Sequence, residues 1–259
     1  MYNILIVSAL SGELNPIKKE IKKTKFNGLN ISFLSVGIGN YNMILNLTRF
    51  LENYEVDFIV NIGVCGYKEE NIDFLQVGRV KNISNNRELI VPYIFDFGKI
   101  KSISSSEKII YDRNEIEEQF VDMESYGFEK VCENFKLPRI ILKVPVDKIG
   151  EETKNFDFKK AEKKLKDNID YLKLLKKIEN YLDKNKKEKI DLSMYYNYFS
   201  FSFTQKIIFE KLYNKYEVLT GENFEDYFLK YTRTLKEIKN KKYESKRFLE
   251  NIENFLENK

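Results

Sequence analysis

Val121-Asp122-Met123-Glu124-Ser125 stands between a polar segment and a helix-like run, residues 126–135. A Leu137-Pro138 break follows. An apolar, strand-like run then covers residues 139–146 and ends at Asp147. A strand that delivers a carboxylate into a loop, beside a helix that carries another at its start, is a common way to build an active site in an α/β fold. Glu124 also has an ordinary reading, because a carboxylate near a helix N-terminus is favoured by the helix dipole.

The chain on either side keeps the same alternation. Residues 3–9 (NILIVSA), 31–36 and 56–62 (VDFIVNI) are apolar runs of buried-strand length. Residues 14–23 and 41–53 between them read as amphipathic helices, the second with Met43, Leu47, Phe50 and Leu51 on one side. Such alternation predicts an α/β fold with a mostly parallel central sheet flanked by helices. Gly37, Gly39, Gly63 and Gly66 fall just past strand ends, where a ligand can approach the backbone. They serve equally well as tight turns. Gly37-Ile38-Gly39-Asn40 is no dinucleotide fingerprint, because the third glycine and the distant acidic residue are missing.

Residues 77–80, 89–91, 100–103 and 108–111 are candidate short strands, the last two around a turn at Ser104-Ser105-Ser106-Glu107. Residues 158–182 show apolar positions at steps of three and four, which predicts one long amphipathic helix with Asp157 as its N-cap. The α/β domain is expected to span 1–182. A charged link, residues 183–189 (DKNKKEK), leads to an all-helical C-terminal extension, 190–259, with helices at 195–218, 224–239 and 243–256. The extension is rich in tyrosine and phenylalanine. Aromatics interleaved with bases can bind single strands, but its acids nearly match its bases, so packing against the main domain or a second subunit is the expected use.

Composition removes several classes of function. The 259 residues suffice for one large domain with an appendage. The 44 basic and 40 acidic residues nearly cancel, which argues against a nucleic-acid partner. There is no histidine, so proton transfer falls to Asp, Glu, Lys or Tyr, and neither a metal nor another cofactor is expected. The two cysteines, Cys65 and Cys132, are too far apart in sequence for a disulfide framework and read as small buried thiols. Residues 4–10 are too short to span a membrane and lack a basic flank, so a cytoplasmic protein with no membrane partner is expected.

The order VDMES, helix, strand, Asp resembles the nucleoside phosphorylase/nucleosidase superfamily, and most of all its methylthioadenosine/S-adenosylhomocysteine nucleosidase branch. The likeness covers the first two thirds of the chain; its most specific part is the spacing from Glu124 to Asp147. It implies hydrolysis of the N-glycosidic bond of a purine nucleoside, with release of free base, by a homodimer. It also implies roles. Met123 packs under the ribose, and Glu124 accepts from its 2′- and 3′-hydroxyls. Asp147 protonates the purine at N7. Residues 8–13 match the family's first loop, which makes Glu13 the base that activates water and turns Leu10 toward the sugar. Ile38 lines the 5′-substituent pocket, Gly66 lies near the base, and Lys143 supports Glu124. Ile109 or Ile110 stands where the family places a Phe over the base.

The chain also departs from the family. The segment before Met123-Glu124 is shortened, and Val64 and Val146 replace two serines. These changes leave open a catalytically silent member that binds nucleosides or oligomerises and whose helical tail carries the function. A phosphorylase is the further alternative. Phosphorylases of the superfamily carry an Arg-bearing phosphate loop after the first strand, whereas this chain has Leu10-Ser11-Gly12-Glu13 and no Arg before Arg49.

Overall fold

The apolar runs form the centre of an eight-stranded sheet in the computed structural model, which describes residues 1–24, 26, 28–70, 72–185, 192–235 and 241–258. Its strands are β1 (Tyr2–Ser8), β2 (Leu29–Ser35), β3 (Phe58–Tyr67), β4 (Leu75–Asn82), β5 (Glu88–Ile90), β6 (Lys99–Ser105), β7 (Phe120–Asp122) and β8 (Arg139–Lys148). The order is β2-β1-β3-β7-β6-β4-β5, and β8 pairs with both β3 and β4. Pairs β1–β2, β1–β3, β3–β8, β4–β6 and β6–β7 are parallel; β3–β7, β4–β5 and β4–β8 are antiparallel. The sheet is therefore mostly parallel, as the alternation of runs predicts.

Why the strand runs are continuously apolar is plain from the two layers that cover them. Ile4, Ile6, Val60, Ile62, Leu142 and Val144 pack on one side. They meet α1 (Asn15–Ile21), α5 (Phe158–Asn168) and α6 (Tyr171–Lys184) through Ile17, Leu165, Leu174 and Ile178. Leu5, Val7, Ile59 and Ile141 point the other way, toward Met43 and Leu47 of α2 (Asn40–Asn53) and Phe128 and Val131 of α3 (Ser125–Phe135). A strand buried on both faces cannot alternate apolar with polar. A short α4 (Glu151–Lys154) follows β8.

The described chain divides into two compact units, Met1–Lys186 and Lys187–Lys259. The second holds α7 (Ser193–Phe199), α8 (Phe203–Thr220), α9 (Phe224–Arg233) and α10 (Lys241–Glu257). Its core is aromatic, with Phe199, Phe209, Phe224 and Phe248 fully buried, and Phe199 stacked on Phe248 at 4.4 Å between centroids. No helix of the described residues is long and apolar enough to cross a membrane.

Several local expectations need correction. Residues 158–182 form two helices, not one. Ile169 is extended, and Asp170 caps α6 by accepting from Lys173 N. The apolar period runs through the break because both helices turn the same side to the sheet. Residues 108–111 form no strand. Ser104 and Ser105 complete β6 instead of turning: Ser105 Oγ donates to Asn40 Oδ1 at 3.1 Å, deep in the fold. Residues 195–218 break at Ser200, which adopts a left-handed φ of 54° and closes α7. The helix expected at 224–239 ends at Arg233, and residues 236–239 lie outside the described residues. So do residues 186–189 of the charged link expected at 183–189, whose first two residues, Asp183 and Lys184, instead end α6.

Candidate functional site

β1, β3 and β8 run parallel, so their C-terminal ends open on one edge of the sheet. Ligands in open α/β sheets bind at this edge. Glu13 reaches it from a single 3-10 turn, Ser11–Leu14, that directly follows β1. The turn is held by Ser8 Oγ, which donates to the Leu10 carbonyl at 2.7 Å. Glu13 is buried, and both oxygens accept from backbone: Oε2 from Leu10 N at 2.9 Å, Oε1 from Val64 N at 3.1 Å. Val64 thus contributes its N–H even though its side chain is apolar.

Glu124 enters from the opposite layer, at the N-cap of α3. It does not cap its own helix. Its Oε1 accepts from Gly39 N at 3.0 Å, which ties the Gly37-Ile38-Gly39 loop to the Met-Glu pair across 85 residues of sequence. Gly39 takes φ of 100°, a region that side chains other than glycine's rarely enter.

Lys143 lies between these carboxylates, on β8, with its side chain 2% exposed. Lys143 supports Glu124 electrostatically, since its charge opposes the rise of the Glu124 pKa. Its ion pair is with Asp122, Nζ to Oδ2 at 2.8 Å. Gly63, next to it on β3, keeps the centre open. A Cβ there would stand 3.1 Å from both Lys143 Nζ and Glu13 Oε1.

Charge and burial set the protonation of this cluster. Burial pushes the Glu13 carboxyl up; Lys143 and the backbone N–H groups of Leu10 and Val64 oppose it. Burial raises Glu124 to about 7, with Asp122 and Glu13 adding to the rise and Lys143 and Gly39 N–H resisting it. Burial works against the Lys143 ammonium, yet Asp122, Glu124 and Glu13 outweigh it and raise its pKa.

The Glu124 shift has a consequence for stability. Its folded pKa lies above the unfolded value of 4.5, so the folded state binds this proton more tightly. The stabilisation is complete below about pH 4.5 and is lost as pH rises through about 7. Glu124→Gln, which mimics the protonated form, should therefore be more stable than wild type at pH 8, by up to about 3 kcal/mol. Urea melts at pH 8 and pH 4 check this: the gain must vanish at the lower pH.

Asp147 sits farther along β8, opposite Gly66, just past a bulge at Cys65/Gly66. It is half-buried and lines a cleft of about 250 Å³ with Val146, Asn155, Phe156 and Lys160. Burial raises its pKa; a hydrogen bond with Thr153 lowers it, Glu152 raises it, and Lys160 and Lys164 lower it. Cys65 lies within electrostatic reach of both groups: burial, Asp122 and Asp147 all push its thiol up.

The other expected residues divide by exposure. Met123 and Leu10 are half-buried, and Ile38 is 48% exposed, so each presents surface. Gly66 packs against Val121 and Ile149. Of the isoleucine pair, Ile109 is 50% exposed, whereas Ile110 is buried in a satellite cluster with Ile116, Val121 and Ile149. Only Ile109 is free to meet a ligand.

With this geometry in view, the likeness to known proteins is specific. No family model matches the chain. The curated 5′-methylthioadenosine/S-adenosylhomocysteine nucleosidase of Buchnera aphidicola is 27% identical over 194 residues, 55% of this chain and 77% of that protein. That of Bacillus velezensis is 18% identical over 202 residues, 58% of this chain and 87% of its own. The chain resembles the nucleoside phosphorylase/nucleosidase superfamily. Its likeness is to the methylthioadenosine/S-adenosylhomocysteine nucleosidase branch. Among solved structures, the nucleosidase of Helicobacter pylori with butyl-thio-DADMe-Immucillin-A matches with a TM-score of 0.59 at 16% identity, over 68% of this chain and 97% of that one. A futalosine hydrolase mutant of Helicobacter pylori matches equally, TM-score 0.59 at 16% identity over 67% and 97%. At such identities these two likenesses speak for the fold.

Asp122 and its partner Ser125 are the residues that sequence reasoning missed. A signal was present: Lys143 stands in the middle of an otherwise apolar strand, and a buried ammonium requires a buried partner.

Proposed function

We propose that the protein hydrolyses the N-glycosidic bond of a purine nucleoside, releasing free base, with 5′-methylthioadenosine and S-adenosylhomocysteine as the first candidates. The observation that carries this reading is the convergence of Glu13, Glu124 and Lys143 toward the sheet edge where β8 carries Asp147 as its next-to-last residue, within a fold shared with nucleosidases.

Each chemical need has a group. The purine must leave as a neutral base, so an acid must meet N7. Asp147, its pKa raised by burial, takes that role. Water must be oriented and deprotonated as it attacks C1′. Glu13 takes that role, held by two N–H donors and kept ionisable by Lys143. The sugar must be gripped while it gains positive charge. Met123 presents an apolar face to it, and Glu124, fixed by Gly39 N, accepts from its hydroxyls. Ile38, Leu10 and Ile109 shape the surrounding surface, and Gly66 lies near the base.

The reading assigns water, not phosphate, as nucleophile. Glu13 fills the place after β1 where a phosphorylase needs cationic donors. The product is therefore expected to be the free sugar. Product analysis with and without added phosphate tests this. A rate that rises with phosphate, or a sugar 1-phosphate product, contradicts it.

A further inference from the structure

Asp122 is a buried charge to which the reaction scheme gives no task. It is 5% exposed and ends β7, a different strand from that of Lys143. Its carboxylate accepts from Ser125 Oγ at 2.6 Å and from Ser125 N at 3.1 and 3.2 Å, besides pairing with Lys143. Ser125 is the first residue of α3, and Glu124 is its N-cap. Asp122 is thus fastened to the same turn that presents Glu124.

An ammonium has three donors on a flexible stem and does not fix its own direction. Asp122 takes one of them from the β7 side. The Nζ then lies beside the gap left by Gly63, and Glu13 Oε1 borders the same gap. We infer that Asp122 is a positioning residue: by holding Lys143 from β7, it aims the ammonium across Gly63 at Glu13 and Glu124, the carboxylates of the proposed hydrolysis. The inference rests on that hydrolytic reading. Ser125 acts one step further back, by fixing Asp122.

Asp122 also divides the field of the cation. Its negative charge adds to the rise at Glu124, while Lys143 opposes that rise. Glu13 faces the same ammonium and backbone N–H groups, and it lies within electrostatic reach of Glu124 and Tyr171. Removing the Asp122 charge while keeping its size gives the ammonium undivided to Glu13 and Glu124. Both carboxylates then lose their protons at lower pH.

The test is the pH profile of kcat/KM for wild type, Asp122→Asn, Asp122→Glu and Ser125→Ala on the best nucleoside. Asp122→Asn is expected to lower kcat/KM by about tenfold to a hundredfold, as for one or two lost charge-assisted hydrogen bonds. Its acidic limb should move to lower pH. Asp122→Glu, which restores the charge, should return the limb toward the wild-type position. A residue that serves only the fold would change the amount of active protein and leave the limb in place. An Asp122→Asn profile with an unmoved or upward-moved limb overturns the inference while the hydrolytic reading stands. Should Asp122→Asn fail to fold, Ser125→Ala decides: a fall in kcat/KM of about threefold to tenfold supports the inference, and a wild-type value overturns it. A wild-type protein that cleaves no purine nucleoside overturns the hydrolytic reading, and the positioning role with it.

Discussion

Asp147→Asn is expected to lower kcat by about 10²–10⁴-fold, with KM for the nucleoside nearly unchanged. An aspartate that meets purine N7 must hold a proton at working pH, well above the ordinary carboxylate range. Burial moves Asp147 in that direction; Thr153, Lys160 and Lys164 hold it back. Asparagine keeps the size and a hydrogen-bond donor but has no proton to transfer. Binding survives because the proposed ribose contacts, Met123 and Glu124, belong to the segment between β7 and α3 and not to β8. Glu124→Ala should behave differently, weakening binding and rate together. Steady-state constants for both variants check the contrast. An Asp147→Asn enzyme with near wild-type kcat contradicts the assignment and favours a member of the fold in which the site binds without catalysing.

Lys143→Met is expected to destabilise the protein by about 3–5 kcal/mol at neutral pH. The ion pair it removes is buried on both sides, at 2% and 1% side-chain exposure, so no solvent screens the loss. Methionine fills the space of the stem. It leaves Asp122 buried without its cation, and Glu13 and Glu124 without the charge that opposes their desolvation. The loss must shrink as pH falls toward about 4, because Glu13 and Glu124, whose pKa values burial raises, then hold protons and no longer need the ammonium. Urea unfolding at pH 7.5 and at pH 4.5 measures the difference. A variant as stable as wild type at pH 7.5 contradicts the central place given to this cation.

The strands that carry the site were legible because burial on both faces makes them long and apolar. NILIVSA, VDFIVNI and the run that ends at Asp147 are β1, β3 and β8. The pieces that pattern reading missed are short or held by side chains. β7 has three residues, too few to show a period, and is fixed by pairing with β3 and β6. Ser104 and Ser105 look like turn formers, but Ser105 finds Asn40 and joins α2 to β6. Asp170 looks like one more polar position of a long helix and instead starts a new one. The same holds for the site. Among the proposed site residues, Glu124 and Asp147 stand out by their places at a helix start and after a strand, whereas Glu13 stands out only through the family resemblance. Asp122 was hidden in the same pentapeptide, because its task depends on Lys143, which lies 21 positions away in sequence and 2.8 Å away in space.

The most direct test of the account is to incubate the wild-type protein with a panel of purine nucleosides, 5′-methylthioadenosine and S-adenosylhomocysteine included, in phosphate-free buffer made with ¹⁸O-water, and to identify the products. The account predicts free purine together with a sugar that carries the label at C1, and loss of both in Asp147→Asn. Intact nucleosides throughout, or base release only when phosphate is added, would contradict it.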